Sequence, residues 1–183
     1  TSAVQKDDVR QLIEDGIISK IGGTDELISE HAPDILHTTT TKPTRVSTDL
    51  DLQVFNISGL SIVPGFVDAH THLLWAGDRS RELRWRLDGH SYKDIANMGG
   101  GIGYTVSQTR TSTTSDLHKL GLMRLNIALS NGTTAMEVKS GYGLSTKSEL
   151  MLLECANNLC LDKKLPSLDL TWLGAHATPP GSG

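Results

Sequence analysis

No basic tract and no long hydrophobic run occur in these 183 residues, and cysteine appears only twice. Lys and Arg number 17 against 21 Asp and Glu, for a formal net charge of -4. That balance lacks the basic footprint of a nucleic-acid partner. The longest uninterrupted apolar stretch falls far short of the roughly 20 residues that cross a bilayer, so no membrane partner is expected. No charged leader followed by an apolar segment opens the chain, and nothing marks it for secretion. Cys155 and Cys160 fall in one expected helix. Five residues turn them about 140° apart around the axis, so they are read as two unbridged core thiols in a reducing compartment.

What is present is an alternation of strands and helices. The length suffices for one ordinary domain with a sizeable core. Gly16–Gly22 reads as a short strand between glycines, Thr24 as the cap of a brief helix through Leu27-Ile28, and Leu52–Ile57 as another strand. Residues 32–50 are polar and threonine-rich, with Pro33 and Pro43; they are expected to form a surface loop, since little there repays the entropy of ordering. Thr113 and Asp116 resemble a capping box, followed by Leu117, Leu120, Met123, Ile127 and Ala128 at helical spacing. Thr133–Lys139 reads as a strand. Thr146 and Glu149 read as a second capping box, opening a helix that carries Leu150, Leu153, Ala156, Leu159 and Cys160. Leu168–Leu173 is a third strand. Such alternation implies a parallel sheet with helical crossovers, an α/β fold. The chain starts at Thr1 rather than a methionine and stops at Pro179-Pro180-Gly181-Ser182-Gly183, just after an apolar segment that ends in a histidine. It is expected to be part of a longer chain.

The stretch that organises the rest is Leu60–Leu74, where an apolar run breaks at Pro64-Gly65 and resumes as Phe66-Val67-Asp68-Ala69-His70-Thr71-His72. On a strand, side chains alternate faces, so Asp68, His70 and His72 would share one face and Val67, Ala69 and Thr71 the other. Two imidazoles about 7 Å apart along a strand can converge on one metal ion; the alternative is a polar strand end with two solvated histidines. Each expected strand ends in polar groups: His70 and His72, then Glu137 and Lys139, then His176. Both β/α barrels and doubly wound sheets place their chemistry at that end, so the pattern alone does not separate them.

Other candidates are weaker. Gly99-Gly100-Gly101-Ile102-Gly103 lacks the Gly-Lys-Ser/Thr ending of a phosphate loop, and Tyr104 stands where a dinucleotide motif needs its third glycine. A flexible loop, or backbone lying close to a ligand, explains it better. Arg79, Arg81, Glu82, Arg84 and Arg86 read mostly as solvated helix charges, but Arg79 is nearest the histidines and its planar fork suits a carboxylate. Tyr92 and Tyr142 are either site residues or half-buried packing. Lys139 is either a carboxylated metal bridge or an ion-pair partner, and the ion pair is favoured.

Val63–His72 resembles the signature of the amidohydrolase superfamily. Within it, Trp75–Arg79, Gly99–Ile102, Val138–Leu144 and Leu173–Ala177 are similar, in order and spacing from about residue 50 to 180, to the imidazolonepropionase family. The resemblance implies a partial (β/α)8 TIM barrel over residues 63–183, preceded at 1–62 by part of a small β-sandwich with the polar loop 32–50. It implies a cytoplasmic hydrolase, homodimeric when complete, that opens the cyclic amide 4-imidazolone-5-propanoate to N-formimino-L-glutamate in histidine degradation. His70 and His72 match its metal ligands for one zinc or iron ion. Arg79, Tyr92, Tyr142 and His176 match its substrate-holding residues, and His176 is given a catalytic role against the ring or the developing oxyanion. The family's third histidine ligand, its metal-binding aspartate and the glutamate and histidine that handle the proton of water would all fall after residue 183, so the chain alone is expected to be inactive. The alternatives are another amidohydrolase, such as a deaminase, and a non-catalytic fragment.

Overall fold

The computed structural model describes residues 9–14, 17–31, 33, 44–47, 53–56 and 60–178. The chain divides into two compact units, Thr1–Val63 and Pro64–Gly183.

The first unit is built from short antiparallel pairs. Strand β1 (Val9–Glu14) pairs with β2 (Ile17–Gly23), with a register shift between Leu12 and Ile13. Helix α1 (Thr24–His31) follows at once and buries Leu27. Strands β3 (Thr44–Ser47) and β4 (Gln53–Asn56) form a second antiparallel pair. The loop expected over 32–50 therefore gives way to a strand at Thr44–Ser47. Its β-branched Thr44 and Val46 favour extended backbone, and β4 supplies the ladder that local composition does not reveal. Much of the remainder of 32–50 lies outside the described residues.

The second unit carries a parallel three-stranded sheet in the order β5 (Phe66–Thr71), β6 (Thr133–Lys139), β7 (Ser167–Thr171). Between β5 and β6 the chain forms α2 (Arg81–Leu87), α3 (Tyr92–Asn97), α4 (Gly101–Thr111) and α5 (Thr114–Ser130); α6 (Thr146–Leu159) joins β6 to β7. The α/β class and the parallel sheet are thus as expected; in the long connection after β5, the charges of α2 and the cap and periodicity of α5 are legible, and α3 and α4 are not marked by local patterning.

Helices α5 and α6 pack on the sheet through Leu117, Leu125, Leu152, Cys155, Ala156 and Leu159, against Met136 and Val138 of β6 and the pair Leu73-Leu74. Both helical faces match the expected ones only in part: Leu117, Ala156 and Leu159 are buried, and Leu120 and Ala128 pack against the core. On α5 the buried line is Leu117, Gly121 and Leu125, while Met123 and Ile127 are exposed. Gly121 permits this, because a Cβ there would lie 2.7 Å from Leu74 Cδ2 and 2.8 Å from Leu159 Cδ1. On α6 the buried line is Glu149, Leu152, Cys155, Ala156 and Leu159, with Leu150 exposed. The two thiols are free, as expected. Strand β5 is not buried: Phe66 and Val67 are exposed, because β5 is an edge of this sheet and its apolar side chains meet no second layer among the described residues.

Thr113 caps α5 by accepting from the Asp116 amide, as expected. The cap of α6 is instead Ser145, which accepts from the Ser148 amide; Glu149 is engaged elsewhere.

Candidate active site

The strand ends of the second unit bring four rings together. His72 lies one residue beyond β5, and its imidazole is 5.4 Å from that of His70, centroid to centroid. His176, from the segment after β7, stacks on His72 at 4.4 Å with planes 15° apart. Tyr142, from the loop after β6, lies 5.0 Å from His72 and 5.3 Å from His176. Residues separated by up to 104 positions in sequence thus meet, because a parallel sheet delivers every strand end to one edge.

The expected alternation fails locally. Between Asp68 and Thr71 the register with β6 shifts, and Asp68 turns back on its own segment, accepting from the His70 amide at 3.0 Å and the Thr71 hydroxyl at 2.5 Å. Those hydrogen bonds hold its carboxyl below the usual aspartate range. Asp68 therefore serves the turn, and His70 and His72 alone converge from this segment.

His72 is the unusual member. Both ring nitrogens are buried, and neither has a hydrogen-bond partner. Burial first, then the neighbouring His176 and His70, push its pKa down from the ordinary histidine value, so the ring is neutral near pH 7. An orphaned, neutral imidazole is the chemical form that binds a divalent cation. The pair His70 and His72 fits such an ion. Among the described residues no group of three or more His, Cys, Asp or Glu is placed to hold one.

A cleft of about 390 Å³ adjoins this cluster, with Trp75, Arg79, Glu82, Arg86 and Tyr142 among its lining. Arg79 does not present a free fork. Its Nε and Nη2 each donate at 2.8 Å to the two oxygens of Glu82, a bidentate pair. That leaves the Nη1 edge for a ligand. Glu82 is no solvated helix charge, being 4% exposed. It also accepts from the Gly101 amide at 2.7 Å, and Arg79 holds its carboxyl below the ordinary range. Gly100 must lack a side chain here, because a Cβ would lie 2.8 Å from Ile95 and 2.9 Å from Glu82 Oε1. The glycine run is thus close backbone approach to an anion, but the anion is this chain's own carboxylate at the start of α4.

Tyr92 is 59% exposed and makes no ring contact with the histidine cluster. Lys139 pairs with Glu137, which also accepts from the Thr171 hydroxyl at 2.6 Å; the ion-pair reading of Lys139 holds.

Three residues near the site gave no functional signal in the sequence. Arg124 of α5 donates from Nη1 to the carbonyls of Leu73 and Trp75, at 2.6 and 2.9 Å, and its guanidinium lies 3.9 Å over the Trp75 ring. Arg110 donates to the carbonyls of Gly143 and Leu144. Glu149 accepts from the amides of Gly141, Gly143 and Leu144. Only Glu149 had an available cue, since it precedes Leu152 and Ala156 by three and seven residues and so shares their buried face.

No protein-family model matches the chain. Curated relatives do. It is 42% identical over 166 residues to the imidazolonepropionase of Symbiobacterium thermophilum, covering 91% of this chain and 35% of that protein. It is 46% identical over 131 residues to the imidazolonepropionase of Shewanella putrefaciens, covering 72% of this chain and 32% of that protein. It is 43% identical over 129 residues to the probable imidazolonepropionase of Dictyostelium discoideum, covering 70% of this chain and 30% of that protein. The chain spans about a third of the length of the curated relatives it matches.

Proposed function

We propose that this chain, a homologue of the imidazolonepropionases, forms part of a protein that hydrolyses the cyclic amide 4-imidazolone-5-propanoate to N-formimino-L-glutamate. The observation that carries the reading is the meeting of His70, His72, Tyr142 and His176 from three strand ends beside an arginine-lined cleft. The same reading makes the parallel sheet part of a (β/α)8 barrel and the first unit part of a small β-sandwich, in a cytoplasmic homodimer.

His70 and His72 would hold one zinc or iron ion through neutral imidazole nitrogens. When bound, such an ion polarises the ring carbonyl and lowers the pKa of water. Arg79, oriented by Glu82, offers its remaining N–H edge to the propionate of the substrate. His176 and Tyr142 flank His72 and present ring hydrogen-bonding groups to the imidazolone or to the oxygen on which charge develops. Tyr92 stands at the exposed margin and takes a substrate contact only at the cleft mouth.

The test is direct. The complete protein is purified, its metal content measured, and loss of 4-imidazolone-5-propanoate followed. His70→Ala and His72→Ala are expected to lose metal and turnover together. Full metal occupancy in both variants removes the assignment of the pair, and release of ammonia from an amino-substituted ring without amide opening redirects the reading to a deaminase.

A further inference from the structure

Beyond the rings themselves, the loop after β6 is held from two sides. Glu149, 1% exposed, accepts from the Gly141 amide on Oε2 at 2.6 Å and from the Gly143 and Leu144 amides on Oε1 at 2.8 and 2.6 Å. Arg110, on α4, donates from Nε to Gly143 O at 2.6 Å and from Nη2 to Leu144 O at 2.8 Å. One helix thus holds the amides and another the carbonyls of the same short loop. The conformation held is a strained one. Leu144 has φ +48, a region that side-chain-bearing residues rarely adopt. Gly141 has φ +127, and a Cβ there would lie 2.8 Å from His176 Nδ1.

Gly141 is the junction. Its amide donates to Glu149, and its carbonyl oxygen lies 3.1 Å from His176 Nδ1. A carbonyl only accepts, so a hydrogen bond there requires the proton on Nδ1, which in the neutral ring leaves the lone pair on Nε2. Tyr142, the next residue, touches both His176 and His72.

We propose that Glu149 and Arg110 are positioning residues of the hydrolase site: they lock the Ser140–Leu144 loop so that Gly141 O fixes His176 as its Nδ1–H tautomer and Tyr142 stays against the two histidines. The inference rests on the reading of these rings as the site. A clamp that served only stability would change how much protein is folded, and would leave the tautomer and the kinetics of folded protein unaltered.

The complete protein is labelled with ¹⁵N-histidine, and long-range ¹H–¹⁵N correlations are recorded near pH 8.5, about two units above the ordinary histidine pKa. The His176 signal is assigned by its loss in His176→Asn. The expected wild-type signal is a single Nδ1–H tautomer. Glu149→Gln turns an NH2 toward the loop amides, so all three hydrogen bonds cannot form; His176 should become a mixture of tautomers. In the same folded variant kcat/KM should fall on the order of 100-fold, as for a misplacement of about 1 Å. Arg110→Gln reads the loop from its carbonyl side and decides the matter where Glu149→Gln does not fold. An Nε2–H tautomer in the wild type overturns the proposal without any variant, and so does an unchanged tautomer in either folded variant. If the wild type does not turn over the imidazolone, the proposed function fails, while the tautomer still decides this inference.

Discussion

The segments after β5 and β6 each bring a buried glutamate to the edge of the site, and the two carboxylates do different work. Glu82 binds a side chain: two of its contacts go to the Arg79 fork and one to the Gly101 amide. Glu149 binds only backbone, three amides of one loop. The difference lies in what each element must present. After β5 the exposed product is a cation, and a carboxylate can aim it while keeping one edge free. After β6 the product is a backbone shape, and a carboxylate facing a row of amides stabilises a turn that its own residues disfavour. Glu82 thus shares its charge with a partner at 31% exposure, whereas the hydrogen bonds to Glu149 all come from backbone amides.

The largest effect expected from this contrast is on stability at position 149. Glu149→Ala leaves three inward amides without partners, at about 1–3 kcal/mol each when unsatisfied, and should destabilise the complete protein by about 3–5 kcal/mol in urea unfolding. Glu82→Ala, with one such amide and a partly hydrated guanidinium, should lose about 2–3 kcal/mol. Equal losses would erase the distinction between the two carboxylates.

Activity separates them next. If Glu82 exists to aim Arg79, then Arg79→Ala should lower kcat/KM by roughly 10- to 150-fold, the equivalent of one charge-assisted hydrogen bond of about 1.5–3 kcal/mol. Arg79→Lys should recover only part of it, since a point charge lacks the fork. An unchanged Arg79→Ala enzyme returns this side chain to a structural pair with Glu82.

A smaller effect depends on pH. The folded-state pKa of Glu82 is depressed, chiefly by Arg79. Its contribution is therefore present above the unfolded value, about 4.3, and is lost as pH falls through the folded value. Comparing wild type with Glu82→Gln cancels the other carboxylates. The gap should be about 1–2 kcal/mol at pH 7 and should close on acidification below about pH 4. A gap that widens in acid would mean that the Glu82 carboxyl is held above its unfolded pKa rather than below it.

The smallest effect is a control on the same helix. Arg84 pairs with Asp88 at 3.1 Å, with side chains 79% and 48% exposed. Arg84→Ala should change stability by less than about 0.5 kcal/mol. A larger loss would mean that exposure fails to distinguish Arg84 from Arg79.

Much of this arrangement is legible one element at a time. The strand Thr133–Lys139 is read to the residue, because β-branched and apolar positions run between Asn131-Gly132 and Ser140-Gly141. The Thr113 cap, the unbridged thiols and the Lys139 ion pair also follow from local chemistry. Local pattern misleads where a residue has two plausible partners. Glu149 sits at capping-box spacing, yet Ser145 already satisfies the Ser148 amide, which frees the carboxylate for a loop on its other side. Leu150 and Leu153 fit a helical period as well as Glu149 and Leu152 do; the choice of face was made by the sheet, through Gly121 and the close approach of Leu74 and Leu159.

By itself, then, the sequence determined that strands and helices alternate through the second unit, that its sheet is parallel, and that His70, His72 and His176 lie at strand ends, because periodicity and turn chemistry are properties of neighbouring residues. Only the tertiary structure decided that His72 is buried with both nitrogens unpartnered, that Arg79 is already half committed to Glu82, and that Glu149 and Arg110 meet on one loop. Those facts depend on distances between residues 3 to 104 positions apart, which the packing of the chain sets and local pattern does not encode.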